Sequence, residues 1–342
     1  MIAILFIWFA LQRSSSFNIY GGFWMNNNRR SVWKVAIPFL SLLLLIVGVV
    51  IGIKSRNTIT SHLSEGGQLK VFVSILPQKY FVERIGGEKV AVSVLVGPGQ
   101  NPATYEPLPK QMAALTEANI YFRIGVPFEM VWIDKIQALN PQLLIVDTRE
   151  GIKLRAMEGA HEHNEVEAGS EDHDHGSLTT KEVKDPHIWL DPLLVKIQAQ
   201  TICRELSNID PINKRFYEQN LRNFCVDLDQ LHREMAATFQ TLTVKKLMVF
   251  HPAWGYLTER YGLQQIPIEV AGKEPGPQEL AQVIEQAKQE GIKVIFIQAQ
   301  FSTEAALSVA RAVEGKVVAI DPLAEDYISN LRMIAETIKK GF

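Results

Sequence analysis

The chain has 342 residues, of which 47% are hydrophobic and 21% are charged, and its formal net charge is −2. This length suits one large domain or two medium domains, and the lack of a basic stripe in the sequence argues against a nucleic-acid partner. The cysteines, Cys203 and Cys225, form no Cys-x-x-Cys pair, which excludes a thiolate zinc site, and we interpret them as small buried hydrophobes rather than as a disulfide.

Residues 35–53 form an apolar run without a charged side chain. A run of this length can span a bilayer, and the basic residues before it favour a cytoplasmic N-terminus. An uncleaved signal anchor and a cleaved signal peptide fit the pattern equally well, and no cysteine directly follows that could carry a lipid anchor. Either interpretation predicts that the rest of the chain is exported. Residues 1–34 precede this segment, and Met25 offers an alternative start within them.

A polar linker at 55–68 leads into strands that alternate with helices, a pattern typical of a parallel α/β sheet. This pattern predicts an N-terminal α/β lobe over 69–207. Its strands are expected at 70–76, 90–96, 119–125 and 142–147. Its helices are expected at 78–86, 109–118, 128–138 and 192–207, the last of them started by Asp191 and Pro192.

A long helix is predicted at 210–241, where apolar residues keep helical spacing from Phe216 to Phe239. At 1.5 Å per residue it would be about 45 Å long. This is too long for one layer of a compact α/β domain, so we expect it to bridge two lobes. The alternation then restarts and predicts a C-terminal α/β lobe over 244–342. Its strands are expected at 246–250, 265–270, 293–298 and 317–320, and its helices at 252–261, 277–290, 302–314 and 325–340.

Residues 159–192 hold five of the eight histidines of the chain. The first four lie in an acidic run without hydrophobic periodicity, which is typical of a mobile loop. They are His161, His163, His173 and His175. Imidazole beside carboxylate can hold transition metals, so loop 159–180 is predicted to be an auxiliary metal-binding segment. His187 lies between Asp-Pro and the apolar Ile-Trp-Leu, which indicates an ordered position.

Two further ligand candidates, His251 and Asp321, each follow a predicted strand directly. Ligands of open α/β sheets bind beyond the carboxyl ends of the strands, so both side chains are expected at one edge of the C-terminal lobe. Together with His187 they would give two imidazoles and one carboxylate between the lobes, a set that suits Zn²⁺. Each also fits the role of a residue at a helix start, as do Asp185 and Asp191.

The motifs around these residues resemble the solute-binding proteins of zinc and manganese ABC importers, over residues 69–342. They are TYEPLPKQM at 104–112, IGVPFE at 124–129, DPHIWLDP at 185–192, FHPAWGYL at 250–257, GKEPGP at 272–277 and DPLAEDYISNL at 321–331. The resemblance implies an α/β fold of two Rossmann-like lobes with parallel sheets, joined by one long rigid helix, and a metal site in the interlobe cleft. It also implies one ligand from each of four loops, with His187, His251 and Asp321 in the second, third and fourth positions.

The first ligand position of the family is altered in this chain. The family has His in a pattern similar to Pro-His-x-Tyr-Glu-Pro, and Ala103 stands at that place. A water molecule, a histidine of loop 159–180, or a nearby polar side chain could complete the site. The polar candidates are Gln298, Gln300 and Glu106. A ligating imidazole usually donates its other N–H to a carboxylate or carbonyl, and Glu269, Glu274 and Gln298 are candidates for that partner, although solvated loop charges fit the glutamates as well.

The residue at the third position favours zinc, because manganese-type members of the family tend to have Glu where this chain has His251 and because nitrogen ligands suit zinc. The resemblance implies a protein without catalytic activity that captures Zn²⁺, with Mn²⁺ as the alternative metal. It would act in the periplasm or on the outer face of the cytoplasmic membrane, as a monomer anchored there if 35–53 is not cleaved, and deliver the ion to an ABC permease. A metal-dependent adhesin or surface protein, and a zinc hydrolase using an open coordination position, remain alternatives.

Overall fold

A computed structural model of the chain describes residues 67–158, 184–270 and 272–342. The predicted membrane segment 35–53, the region 1–34, most of the linker 55–68 and the histidines of loop 159–180 lie outside the described residues. Within the described ranges, no helix is both long enough and apolar enough to cross a bilayer.

The N-terminal lobe is built on a parallel sheet of four strands in the order β2-β1-β3-β4. The strands are β1 (Leu69–Ile75), β2 (Val90–Val96), β3 (Ile120–Arg123) and β4 (Leu144–Asp147). The helices are α1 (Leu76–Gly86), α2 (Pro109–Leu115), α3 (Pro127–Leu139) and α4 (Pro192–Ile209), with 3₁₀ turns at Gly87–Lys89 and Ile188–Leu190. Because all strands are parallel, their carboxyl ends meet at one edge of the sheet.

The C-terminal lobe repeats this arrangement, with a parallel sheet in the order β6-β5-β7-β8. The strands are β5 (Lys246–Val249), β6 (Gln264–Pro267), β7 (Val294–Ile297) and β8 (Lys316–Ala319). The helices are α6 (Gly255–Tyr261), α7 (Pro277–Gln289), α8 (Glu304–Ala312) and α9 (Tyr327–Gly341). The predicted fold class of two α/β lobes with parallel sheets is therefore confirmed.

The long helix between the lobes, α5, spans Lys214–Gln240 and is about 40 Å long at 1.5 Å per residue. It begins four residues later than predicted, because Asp210 supports a 3₁₀ turn at Pro211–Asn213 instead of starting the helix. The Asp210 carboxylate accepts hydrogen bonds from Asn213 Nδ2 at 2.7 Å and from the Tyr217 hydroxyl at 2.6 Å. The helix packs against α1 and α4 on the N-terminal side and against α9 on the C-terminal side.

One apolar core extends across both lobes. The buried stripe of α5 belongs to the same cluster as Phe72 of β1 and Phe296 of β7, while the other face of the C-terminal sheet packs in a second cluster. Polar contacts reinforce this shared core: Trp189 Nε1 donates to the Pro322 carbonyl at 2.8 Å, and Lys79 pairs with Glu325. Sliding one lobe over the other would therefore expose apolar surface, which opposes large independent motions.

Three helices of the C-terminal lobe begin later than predicted, and one of them, predicted at 302–314, begins at Glu304. The helix predicted at 252–261 begins at Gly255, because a turn closed by Ala253 N–H on the His251 carbonyl, at 2.8 Å, precedes it. The helix predicted at 325–340 begins at Tyr327, where the Asp326 side chain accepts a hydrogen bond from the Ser329 N–H. The cysteines Cys203 and Cys225 are free, as expected, but only Cys203 is buried, because Cys225 lies at the partly exposed edge of the α5 stripe.

Candidate metal centre

A cavity of about 350 Å³ lies between the two lobes, at the carboxyl ends of both sheets. The N-terminal lobe contributes Ala103 and His187 to its wall, and the C-terminal lobe contributes His251, Gln298 and Gln300. The cavity therefore brings together Ala103 and His187 of the N-terminal lobe and His251 of the C-terminal lobe, all three of which the sequence analysis assigned to ligand positions.

His187 is held by a carboxylate two residues before it in the chain. Its Nδ1 lies 2.7 Å from Oδ1 of Asp185, and the same oxygen accepts the His187 backbone N–H at 3.0 Å. The interpretation of Asp185 as a residue at a helix start is wrong, because its side chain orients an imidazole instead. Burial lowers the pKa of His187, and the nearby Asp185 opposes that shift. The neutral ring that results is the form that binds metals, with Nε2 left for a ligand.

Asp185 is itself fixed by both lobes. Its backbone carbonyl accepts the Tyr256 hydroxyl of α6 at 2.9 Å, and Oδ2 of its fully buried side chain lies 4.0 Å from Nη1 of Arg155. Arg155 also donates its backbone N–H to the Tyr256 oxygen at 3.1 Å. Burial raises the pKa of Tyr256 to about 12, so it stays a neutral hydroxyl. These contacts hold the carboxylate that orients His187.

His251 has an equivalent partner in the C-terminal lobe. Its Nδ1 lies 2.8 Å from Oε2 of Glu269, a buried residue just beyond β6, the strand beside β5. Gln298 fixes the backbone of His251 in both directions, accepting its N–H at 3.3 Å and donating to its carbonyl at 3.0 Å. The ring stacks on Phe301 with centroids 4.9 Å apart. Glu269 and Phe301 therefore hold the imidazole, and Gln298 holds its backbone.

The two imidazoles approach each other across the cleft. Their centroids are 5.2 Å apart and their planes are inclined by 70°. Because each Nδ1 faces a carboxylate, each ring has Nε2 available for a cation. A carboxylate that accepts the Nδ1 proton also makes the opposite nitrogen a better metal ligand.

Asp321 lies two residues beyond β8, and its carboxylate is engaged with neighbouring loop residues. Its Oδ1 accepts the Leu323 N–H at 2.9 Å and a longer contact from Gln300 Nε2 at 3.4 Å. Pro322 and Leu323 line the cavity, whereas Asp321 is not among the described residues of its wall. No group of three or more His, Cys, Asp or Glu side chains within the described ranges is arranged to hold a metal ion. The structure thus brings two of the three predicted ligands together.

Comparison with known proteins places this chain in a family. The family model described as zinc-uptake complex component A, periplasmic, matches residues 71–341. The chain belongs to this zinc-uptake family.

Named relatives and solved structures agree with that assignment. The high-affinity zinc uptake system protein ZnuA of Bacillus subtilis is 29% identical over 264 residues, covering 76% of this chain and 80% of the relative. A crystal structure of ZnuA is 42% identical, covers 80% of this chain and 99% of its own, and has a TM-score of 0.72. The manganese ABC transporter lipoprotein PsaA of Streptococcus anginosus is 26% identical, over 88% of this chain and 98% of the relative. Proteins named for either metal are thus similar to this member of the zinc-uptake family.

The loop that carries Ala103 in this zinc-uptake family member is well defined. Asn101 Oδ1 accepts the Ala103 N–H at 2.9 Å, which forms a tight turn after β2, and the methyl group of Ala103 lines the cavity. A methyl group offers no lone pair to a metal. Glu106, which the sequence analysis considered as a substitute, is exposed and is not part of the described cavity wall.

Two arginines on the same wall were missed by the sequence analysis. Arg123 is the last residue of β3, and Arg149 follows β4 by two residues. Arg149 makes two bonds to Asp147, from Nε at 2.8 Å and from Nη2 at 2.6 Å. It packs against Gly125, whose φ of 89° favours glycine and where a Cβ atom would lie 2.1 Å from Nη1 of Arg149. The rule that ligands lie at strand ends applied to both positions.

A buried glutamate fixes the loop beneath this wall. The Glu129 carboxylate accepts the N–H groups of Ile124 at 2.9 Å and Gly125 at 2.7 Å, and the Ser74 hydroxyl at 2.5 Å. Burial raises the pKa of Glu129, and these hydrogen bonds oppose the shift. In this zinc-uptake family member, the motif around 124–129 therefore shapes the cavity rather than supplying a ligand.

Proposed function

We propose that this protein captures Zn²⁺ outside the cytoplasmic membrane and delivers it to an ABC permease. The observation that carries the proposal is the pair His187 and His251, one from each lobe, each with Nδ1 on a carboxylate. Such carboxylate–imidazole pairs are characteristic of metal ligands in proteins. The relatives named for zinc uptake support a transport role.

Asp321 is the third ligand in this proposal. Its carboxylate would turn from the Leu323 N–H toward the two imidazoles when Zn²⁺ enters. The reason is that a carboxylate is attracted more strongly to a divalent cation than to a single N–H donor. Ala103 leaves the fourth position of a tetrahedral site to a non-protein ligand, with water as the simplest occupant. Glu269 and Asp185 act as the carboxylates that orient the imidazoles.

Zinc is favoured over manganese by the donor set. Two imidazole nitrogens and one carboxylate suit Zn²⁺, whereas Mn²⁺ prefers carboxylate, carbonyl and water oxygens. We therefore propose Zn²⁺ as the transported ion and Mn²⁺ as a weaker competitor.

The regions around the cleft have supporting roles in the proposal. The lobes 69–207 and 244–342 provide one face of the cleft each, and the segment 210–241 keeps them at a fixed separation. His161, His163, His173 and His175 would raise the local zinc concentration. The apolar segment 35–53 would anchor a monomer to the membrane or direct its export.

The direct test replaces one proposed ligand. We expect His251→Ala to weaken zinc binding at least 100-fold, since two protein ligands remain. The measurement is competition of the purified protein with a chromophoric zinc chelator. His232→Ala is the matched control, because His232 lies on α5 and contacts the Tyr261 hydroxyl at 3.2 Å instead of the cleft. Equal zinc affinity in the two variants would refute the proposed site.

A further inference from the structure

The described wall of the cleft presents guanidinium groups and no carboxylate to an entering ion. Arg123 and Arg149 line the cavity beside the two histidines, and none of the described residues on the wall is Asp or Glu. Asp147 and Glu129 balance the formal charge of the two arginines, but they lie behind the wall. A dication entering this cavity would meet the guanidinium groups first, and an anion that enters with it would relieve the repulsion.

The two arginines keep hydrogen-bond donors for such an anion. Arg149 uses Nε and Nη2 on Asp147, and Arg123 uses Nε, at 3.3 Å from Glu129. No described residue accepts a hydrogen bond from Nη1 of Arg149 or from the Nη groups of Arg123. Guanidinium groups match carboxylates and phosphates in shape, so these free donors favour a small oxyanion.

The proposed zinc site also has room and need for an anion. Zn²⁺ with two neutral imidazoles and the Asp321 carboxylate would carry a net charge of +1 and lack its fourth ligand, because Ala103 supplies none. A cavity of about 350 Å³ is larger than one ion requires. The amide oxygen of Gln300, on the same wall, is buried without a hydrogen-bond partner among the described residues. As an acceptor, this oxygen can face Zn²⁺ but offers no hydrogen bond to an oxyanion, so the anion would depend on the two arginines for its hydrogen bonds.

We propose that the cleft binds Zn²⁺ together with a small oxyanion of the carboxylate or phosphate class. One oxygen of the anion occupies the coordination position that Ala103 leaves open, and the remaining oxygens accept hydrogen bonds from Arg123 and Arg149. This inference rests on the proposed zinc-binding function of the cleft. It replaces water as the fourth ligand and makes the affinities for metal and anion depend on each other, by the same factor in both directions.

The test measures zinc affinity of the full chain in detergent solution, with and without the anion. The medium is a chloride-free sulfonate buffer in which sodium acetate or inorganic phosphate replaces sodium methanesulfonate at constant ionic strength. We expect one of the two anions to tighten zinc binding about tenfold, within the range of typical coupling between sites. The anion with the larger effect identifies the class. Co²⁺ in place of Zn²⁺ gives a visible spectrum that changes when the anion enters the coordination sphere.

Three variants locate the effect. Arg149→Gln should reduce the enhancement to less than about twofold. Arg204→Gln should keep the full enhancement, because Arg204 lies on the exposed side of α4 and pairs with Glu150 and Glu205. Ala103→His should still bind zinc but lose the anion effect, because imidazole fills the fourth position. If circular dichroism shows that Arg149→Gln does not fold, Ala103→His alone tests whether the anion occupies the fourth position, since it leaves both arginines in place.

The outcomes separate this inference from the function it rests on. Tight zinc binding that neither acetate nor phosphate changes would overturn the inference and leave zinc capture standing. An anion effect that persists unchanged in Ala103→His would also overturn it, since the anion would then bind away from the metal. Failure of the protein to bind zinc under every anion condition would refute the proposed function itself.

Discussion

At the level of single residues, two histidines form the centre of this site, and each is oriented by a carboxylate behind its ring. Asp185 and Glu269 each accept a hydrogen bond at Nδ1 of one imidazole, at 2.7 and 2.8 Å. This fixes the tautomer and the ring orientation before the metal arrives, so less ordering is required upon binding. The site is therefore partly preorganised, and Asp321 is the proposed ligand that must still turn toward the metal.

A prediction follows for the carboxylate behind His251. Glu269→Gln should weaken zinc binding about 10- to 100-fold, because an amide no longer stabilises the positive charge that the imidazole shares with the metal. The matched control is Glu274→Gln, in the exposed loop that follows. Zinc competition titrations on both variants check this expectation, and equal affinities would mean that Glu269 does not support the ligand.

The sequence predicted where the candidate ligands lie better than it predicted their hydrogen-bond partners. His251 and Asp321 were predicted from the rule that ligands follow strand ends, and that rule depends only on the chain order of strands. Asp185 was misinterpreted because Asp-Pro is also a common helix start, and the choice between the two roles depends on how Asp185 is buried against Tyr256 and Arg155. The contact of Glu269 with His251 requires β5 and β6 to be neighbours, which periodicity alone does not establish.

Among the helices and strands, α5 has the widest role, because it contributes to the core of both lobes. Its buried side chains form a single stripe, and the opposite face is exposed. The apolar periodicity predicted this helix, since every fourth or third residue from Phe224 to Phe239 faces the core. Its start was predicted less well, because the turn at Pro211–Asn213 depends on hydrogen bonds of Asp210 with side chains further along the chain.

A pair of substitutions on α5 tests how much this stripe contributes to stability. Leu228→Ala should lower the free energy of unfolding by about 2–5 kcal/mol, because Leu228 is fully buried and its loss leaves a cavity. Val226→Ala removes apolar atoms from a residue that is 64% exposed, and should cost less than about 0.5 kcal/mol. Urea unfolding followed by circular dichroism measures both. Similar losses in the two variants would show that the buried stripe of α5 contributes no more to stability than its exposed face.

At the scale of the whole molecule, the shared core and the interlobe contacts limit how the protein can respond to zinc. Asp191, at the start of α4, pairs with Arg260 of α6 at 2.7 Å, which links the two lobes. With such contacts and a continuous core, binding is expected to change loops at the cleft more than the angle between the lobes. A metal that binds only the folded state should also stabilise the whole molecule, not one lobe.

The fold class and the two-lobed arrangement followed from the alternation of strands and helices. The cationic side of the cleft did not, although Arg123 and Arg149 both stand at strand ends. Arginines at such positions can equally form surface ion pairs, and only the enclosed cavity, which both arginines line, shows where they lie. Their role as anion-binding groups depends on the cavity between the two lobes, and no local sequence pattern predicts that cavity.

The central claim is that zinc binds in the cleft and not in the histidine-rich segment. Zinc titration of a variant lacking residues 159–180, with stoichiometry measured by competition against a chromophoric chelator, tests this claim most directly. We predict one tight site per chain that survives the deletion, because His187, His251 and Asp321 all lie outside the deleted segment. A stoichiometry of zero after the deletion would contradict the claim and assign zinc binding to the loop.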